Sequence, residues 1–491
     1  MSVKIRFALN GKFNTNKSEC LLRVLYFGVF LIIGLSMVFK QPFGNPPDEY
    51  NRYLIPQYIC RYGTLPNGFD EEIRIGGYGF SYAFQPILPY MLQGYTMRLV
   101  SLFTDSETAL LYTARLVNLS MGLIMAYVVL LLGRKWFKDP RISWFFSFLV
   151  TFLPQSIFVH TYVNTDSCCM LSISIILYAM SLCLENDFSL SSSLLLSAGI
   201  ILCALSYYNA YAYILSLILI FTAYFFNARY TGEGKRKLFF DFKKFIVKGL
   251  TIAVPVLIGI SWWFIRSAVL YDGDFLGLKT RNYCGALYAL PEYMPSVMST
   301  YLNEGHSIWY MLTKSDFLTL TLLSFIGIYG PMTIVSTVWL YRFYKLLFFT
   351  GILLKIISIP TLPKLSSKKS CRHVFRIFLH LNMIFCIIMP LALSIWYSYS
   401  TDYQPQGRYV LPALIPICYY CTAGFERLSE FLKTKIPASA VREQVSPRYP
   451  FTGNMLISCF FGVMLLLIVL FLFITVYGYA FPYYNANPIA A

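Results

Sequence analysis

The chain has 491 residues, of which 57% are hydrophobic and only 13% charged. A soluble chain carries about 25% charged residues, so too little polar surface is present to cover a water-soluble globule. The net charge of +17 does not mark a nucleic-acid binder, because the basic residues gather in short segments between apolar runs, where they set membrane topology.

The first apolar run, 21–39, follows a basic start containing Lys4, Arg6, Lys12 and Lys17. It is too long for the apolar region of a signal peptide and no small-residue cleavage site follows it, so it reads as a retained first helix. Further spans are expected near 107–133, 142–161, 168–184, 191–208, 211–228, 249–270, 329–350, 375–397, 409–425 and 453–478. Together they make about eleven helices, each crossing a hydrocarbon core about 30 Å thick. The weakest division is at Tyr207-Tyr208-Asn209-Ala210-Tyr211, which separates two short runs.

Charge tests that count. Four intervening segments are basic: Arg134/Lys135/Lys138/Arg141, Lys235/Arg236/Lys237/Lys243/Lys244, Lys364/Lys368/Lys369/Arg372 and Arg427/Lys433/Lys435/Arg442/Arg448. The two long alternate segments, 40–106 and 271–328, carry Asp48, Glu49, Asp70, Glu71, Glu72, Asp272, Asp274, Glu292 and Glu304. By the positive-inside rule the basic segments are cytoplasmic. The expectation is an all-α, multi-pass protein of the cell membrane, with a cytoplasmic N-terminus and an extracytoplasmic C-terminus. No repeat at solenoid periods and no inverted pair of interrupted helices is visible, which weakens a transporter reading.

The first outer segment opens with Gly44-Asn45-Pro46-Pro47-Asp48-Glu49-Tyr50. Pro47 suits the position before a helix whose N-terminus takes the two acids. Asp48 and Glu49 either cap that helix or supply a general base at the membrane surface, and the sequence leaves both open. The stretches from Asp48 to Cys60 and from Phe84 to Phe103 read as amphipathic helices lying on the interface.

Arg115, Arg266 and Arg408 fall near the outer ends of spans. An arginine in a membrane is costly unless paired, and its fork matches phosphate oxygens; snorkelling to the interface is the alternative. Asp166 tops the third span and is placed to pair with one of them. His306 lies in the second outer segment as a possible substrate contact. The twelve cysteines show no metal-ligand spacing. Cys418 and Cys421 lie inside an apolar run and read as packing, while Cys60 and Cys284 share the outer face and could pair.

Four blocks, in order and on one expected face, resemble the GT-C glycosyltransferases. They are Pro46-Pro47-Asp48-Glu49; Leu153-Pro154-Gln155 through Val163-Asn164-Thr165-Asp166; Trp262-Trp263 to Arg266 with Leu270-Tyr271 to Gly277; and Gln406-Gly407-Arg408-Tyr409. Ser324-Phe325 to Gly330 is a weaker fifth. The resemblance covers about 20–425 and is greatest to a bacterial polytopic membrane family of unknown function with Pro-Pro-Asp-Glu and Gln-Gly-Arg-Tyr motifs. Two departures stand out: Arg52 or Tyr53 where that family has a His, and Arg266-Ser267 where it has Arg-Asn.

The resemblance implies a polyprenyl-phosphate (undecaprenyl-phosphate-type) sugar donor, an extracytoplasmic cell-surface glycan as acceptor, and inversion at the anomeric carbon. It implies an acidic catalytic base, Asp48 first and Glu49 next. Arg408 and Arg266, with Arg115 as a weaker candidate, would bind the donor phosphate; Asp166, Gln406, Tyr409 and His306 would contact substrate. No metal-ligand cluster is visible, so metal-independent chemistry without a cofactor is expected. The expected organisation is a catalytic membrane module over 1–270, a second outer loop over 271–328, and C-terminal membrane helices over 329–491. The competing readings are a flippase or transporter of lipid-linked glycans and a polymerase or ligase using diphosphate-linked glycans.

Overall fold

The computed structural model describes residues 17–230, 236–294, 297–358, 370–435 and 453–487. Expected basic residues at 4, 6, 12, 235, 364, 368, 369, 442 and 448 lie outside them. In chain order the helices are α1 (Lys17–Lys40), α2 (Glu49–Tyr62), α3 (Leu88–Val100), α4 (Glu107–Trp136), α5 (Pro140–Thr151), α6 (Pro154–Phe158), α7 (Asp166–Glu185), α8 (Leu190–Ala204) and α9 (Tyr211–Tyr224). A small antiparallel hairpin, β1 (Phe226–Tyr230) with β2 (Arg236–Phe240), precedes α10 (Phe242–Leu270). The second outer segment holds α11 (Leu278–Tyr288), α12 (Ile308–Lys314) and α13 (Phe317–Gly327). A two-residue-per-strand turn, β3 (Ile328–Tyr329) with β4 (Ile334–Val335), leads to α14 (Val338–Ile357), α15 (Ser370–Ser400), α16 (Leu414–Lys435), α17 (Gly453–Phe473) and α18 (Phe481–Ala486).

Among the described residues, six helical stretches are long and apolar enough to cross a bilayer: α1, α4, α7, α10, Val374–Ser400 of α15 and the continuous Gly453–Ala486. The shorter α8, α9 and α13 are also apolar. The protein is therefore an all-α membrane protein, and the expected spans find helices with three corrections.

The third span is broken. Pro154 cannot continue α5, because it lacks an N–H and its ring crowds the preceding turn, so the chain passes through α6 and then irregular backbone. Buried irregular backbone at membrane depth must find partners within the protein. Here Gln41 Nε2 donates to Thr161 O at 2.7 Å, and Asn118 Nδ2 to Tyr162 O at 2.5 Å. Asn164 Nδ2 donates to Val159 O at 2.7 Å, and the Tyr329 hydroxyl to Pro154 O at 2.9 Å.

The span expected at 329–350 starts later, at Val338. Gly330 and Met332 take positive φ of 60° and 65°, and Gly330-Pro331 reverses the chain as such dipeptides do. The Thr337 side chain then caps α14 at Trp339 N. Likewise the span expected at 409–425 begins with a 3-10 stretch, Gly407–Ala413, before α16. The break at 207–211 is real: α8 ends at Ala204 and a single 3-10 turn, Tyr208–Ala210, joins it to α9.

Burial sorts the bundle. The apolar window of α7 is 78% buried and that of α10 is 0% buried, so α7 is central and α10 peripheral, presenting Leu257, Ile258, Ile265 and Val269 outward to lipid. Two opposite faces differ in chemistry. On one, helix ends are tied by Glu19–Arg134, Glu185–Lys135, Asp139–Arg141, Asp139–Lys433 at 3.0 Å, and Asp187–Lys244 at 3.9 Å. On the other lie the C-terminal end of α1, the N-termini of α2 and α7, and the 3-10 stretch carrying Arg408.

Cys60 and Cys284 are both free and buried, in separate apolar clusters, and Cys284 donates to Gly79 O instead. They do not pair. Cys418 and Cys421 are fully buried in the core, as expected for packing.

Candidate active site

Three of the four sequence blocks, far apart along the chain, meet at the acidic pair opening α2: the pair itself, Val163 of the second block and Arg408 of the fourth. Glu49 is completely buried and is gripped by Arg115 of α4, with Nε 2.8 Å from Oε1 and Nη2 2.6 Å from Oε2. Val163 N, from the second block, donates to Oε1 at 3.1 Å, and Gly44 N donates to Oε2 at 3.2 Å. Arg115 Nη1 also donates to Val38 O and Gln41 O, at 2.9 and 2.8 Å. These carbonyls end α1, where a cation suits both the free acceptors and the helix dipole. One ion pair thus joins α1, α2, α4 and the broken third span.

Asp48 has a different setting. It is the residue before α2 and takes a left-handed conformation, φ 61°, which costs a non-glycine residue about 1–2 kcal/mol. Its carboxylate accepts from Arg408 Nη2 and lies 3.8 Å from Arg52 Nη2. Arg408 Nη1 holds Pro47 O at 3.2 Å, fixing the turn that aims Asp48. Burial pushes the Asp48 carboxyl up, but the charges of Arg408 and Arg52 and the hydrogen bond from Arg408 outweigh it, so the group lies below the ordinary carboxylate range. With its side chain 32% exposed, it is the more accessible member of the acidic pair.

Arg408 is positioned by close backbone approach. Ser324 Oγ accepts from Gly407 N at 2.7 Å, and a Cβ on Gly407 would fall 2.0 Å from Phe325 N. The Gln-Gly-Arg-Tyr block and the weaker fifth block therefore need each other. From Arg408 a hydrogen-bond chain runs outward: Nη2 donates to the Tyr409 hydroxyl at 3.1 Å, Tyr409 donates to Gln404 Oε1, and Gln404 Nε2 donates to Asp402. Burial raises the Asp402 carboxyl, against the hydrogen bond from Gln404.

A cavity of about 320 Å³ opens beside Asp48. Asp48, Arg52 and Arg281 are the charged residues lining it, with Gln404 and Asn209 adding amides and a wall of aromatic rings that includes Tyr82, Tyr207, Tyr397 and Tyr409. Arg52 is held by the hydroxyls of Tyr90 and Thr165 at 3.1 and 3.2 Å and lies 4.9 Å from the Tyr82 ring centre. Ser206 and Tyr208 come from the break between α8 and α9, so that break shapes the cavity.

The other expected site residues sit elsewhere. Asp166 is buried at the start of α7 with Oδ2 unpartnered, beside Thr165, which lines the cavity. Gln406 precedes the 3-10 stretch, its Oε1 also buried and unpartnered. Arg266 donates to Pro66 O at 2.8 Å and so anchors the first outer segment outside the cavity lining. His306 stacks on Tyr310, with ring centres 4.2 Å apart, and is likewise outside it. Arg115 is committed to Glu49 and to the end of α1. The sequence does not mark Arg281, Tyr82 or Gln404 as site residues, and it singles out Arg52 only as standing where the resembled family has a His. Of these only Arg52 carried a signal, its i,i+4 spacing from Asp48.

Among the described residues, no three His, Cys, Asp or Glu side chains converge on a point where a metal ion could be held.

No protein-family model matches the sequence, and no curated protein matches it in sequence. In structure, the chain is similar to the oligosaccharyltransferase of Archaeoglobus fulgidus tethered with an acceptor peptide. The TM-score is 0.50 at 14% identity, over 92% of this chain and 55% of that one. This is the GT-C fold. The apo form of the same enzyme gives 0.50 at 13% identity, again over 92% and 55%. ArnT from Cupriavidus metallidurans, bound to undecaprenyl phosphate, gives 0.48 at 14% identity over 94% and 73%. The chain thus spans about half the length of the oligosaccharyltransferase. Within the GT-C fold of this chain, the acidic pair follows the first membrane helix and faces the cavity with one member only.

Proposed function

We propose that this chain is a membrane glycosyltransferase that moves a sugar from a polyprenyl-phosphate donor to an extracytoplasmic glycan. The observation that carries the reading is Asp48: an ionised carboxylate at a sugar-sized, aromatic-walled cavity, held between Arg408 and Arg52 on a GT-C fold. In the proposed step an acceptor hydroxyl attacks the anomeric carbon and passes its proton to Asp48. The bond from that carbon to the phosphate oxygen breaks, and its electron pair leaves with polyprenyl phosphate. Direct displacement inverts the anomeric centre.

Within this reading Asp48 is the base, and Glu49 with Arg115 is the support that orients it. Arg52 and Arg408 keep the Asp48 carboxylate ionised and aimed at the cavity, and cationic charge on the cavity wall steadies the phosphate as the sugar departs, a role that fixed cations in a water-poor site perform well. The reading takes transfer to be metal-independent, since cationic side chains already supply the positive charge. It places the cavity on the extracytoplasmic side, because the opposite face carries the basic segments. The concentration of polar residues at one face, with apolar helix interiors beneath, supports an enzyme over a flippase, which needs a polar path across the membrane.

The test is transfer by the purified chain in nanodiscs, given radiolabelled undecaprenyl-phosphate sugars and a cell-envelope acceptor. Label in the envelope glycan supports the reading. Label moved only from undecaprenyl-diphosphate glycans would replace it with a polymerase or ligase, and lipid-linked sugar crossing the bilayer unchanged would replace it with a flippase.

A further inference from the structure

The cavity contains a second cationic group that the acidic pair does not use. Arg281, in the first turn of α11, lines the cavity, and its guanidinium carbon lies 4.4 Å from the centre of the Phe80 ring. Among the described residues it makes no ion pair, and its buried Nε has no hydrogen-bond partner. Arg52 and Arg408, in contrast, share Asp48. The charged lining is thus two arginines against one carboxylate, a balance that asks for an anion.

The same cavity has an apolar rim that faces outward. Leu278, one turn before Arg281, is 37% exposed, and Leu393 and Trp396 of α15 are 38% and 56% exposed. Leu393 and Trp396 lie in the part of α15 that is long and apolar enough to cross a bilayer, which is where an apolar side chain exposed on a membrane protein would face lipid. Exposed apolar side chains at the mouth of an aromatic-walled cavity, beside an arginine without a counter-ion, suit a ligand with a phosphate at the head of a hydrocarbon chain. A guanidinium fork matches phosphate oxygens, and its loose hydration lowers the cost of burying the pair.

We propose that Arg281, with the rim of Leu278, Leu393 and Trp396, forms the port at which a polyprenyl phosphate enters from the bilayer, the arginine binding its phosphate and the rim its first isoprene units. This deepens the function proposed above and rests on it. It gives the donor a direction: the hydrocarbon chain leaves between α11 and α15, the sugar points inward to Asp48, and the acceptor approaches from the water side.

The experiment measures binding of undecaprenyl phosphate, without sugar, to the full chain in nanodiscs, beside wild-type transfer. Arg281→Gln is expected to weaken binding about ten- to a hundredfold, the worth of a charge-assisted contact. Arg281→Lys should restore part of it, and the thermal midpoint of both variants should match the wild type. Trp396→Ala should weaken the long-chain lipid but not a short-chain, water-soluble prenyl phosphate. Inorganic phosphate should compete poorly, separating a lipid headgroup from a free phosphate. Wild-type transfer with unchanged lipid affinity in folded Arg281→Gln overturns the port and leaves the glycosyltransferase standing. Inorganic phosphate competing as well as the lipid also overturns the port, in favour of a soluble-anion site. No binding and no transfer by the wild type overturns both.

Discussion

Glu49 and Asp48 are neighbours in sequence, yet one is sealed in a bidentate pair with Arg115 and the other faces the cavity between two arginines. The difference comes from the left-handed turn at Asp48, which sends adjacent side chains to opposite sides of the chain. The two carboxylates therefore do different work: Glu49 holds four elements together, and Asp48 stands where a substrate could reach it.

Removing the Glu49 charge strands Arg115 without its counter-ion in a fully buried site. Breaking such a pair costs about 3–5 kcal/mol. Glu49→Gln is expected to lower the thermal midpoint or the folded yield in detergent strongly, with activity lost in proportion to folded protein. A variant with normal stability and no activity would instead make Glu49 the chemical group.

The pH dependence follows from Asp48. Its folded value is depressed, so the stability its ionised form contributes, and with it the base proposed above, is present above the ordinary carboxylate range and is lost as pH falls through the lowered folded value. The acid limb of kcat/KM should therefore lie below the ordinary carboxylate range. Arg408→Gln removes the leading charge that depresses Asp48 and should move that limb upward, besides slowing transfer about a hundredfold or more. A pH–rate profile of both proteins checks this; an unmoved limb would separate Arg408 from Asp48.

Gly407 is predicted to tolerate no side chain. A Cβ there would sit 2.0 Å from Phe325 N and 2.3 Å from Phe325 Cα, both backbone atoms that cannot rotate away. Gly407→Ala should displace Arg408 and abolish transfer while leaving the far face intact. Ala at this position with wild-type kcat would contradict the close approach.

On that far face, Asp139 caps α5, pairs with Arg141 and Lys433, and is held below the ordinary carboxylate range, chiefly by the Arg141 hydrogen bond. Asp139→Ala removes the cap and both pairs and is expected to cost about 1–3 kcal/mol of stability. Transfer per folded molecule should not change. A loss of transfer at constant fold would tie this face to the reaction.

Transfer is expected to survive EDTA unchanged, measured as rate per folded enzyme with and without chelator. Loss restored by a divalent cation would assign to a metal the charge that the account gives to arginines.

The membrane class, the helices and the acidic pair were legible because apolar length, basic loops and a Pro-Pro turn are local signals. The break at Pro154 was equally local, but averaging over a long window concealed it: between 152 and 165 Gln155, Ser156, His160, Thr161 and Asn164 alternate with Phe152, Leu153, Ile157, Phe158, Val159 and Val163, and it is the buried amides of Gln41, Asn118 and Asn164 that show this backbone is not helical. The roles of Asp48 and Glu49 were not legible, since they turn on one φ angle and on partners from far along the chain. Arg115 and Arg266 looked like phosphate ligands because spacing cannot say which backbone carbonyls an arginine will meet. Arg281 had no signal, because its lack of a partner is a fact of packing alone.

The most direct test of the central claim is the release of polyprenyl phosphate from a radiolabelled undecaprenyl-phosphate sugar, comparing wild type with Asp48→Asn in nanodiscs. Release by the wild type is expected and, at equal folded yield and equal donor binding, its loss in Asp48→Asn. Equal release from both proteins would contradict it and remove Asp48 from the chemistry.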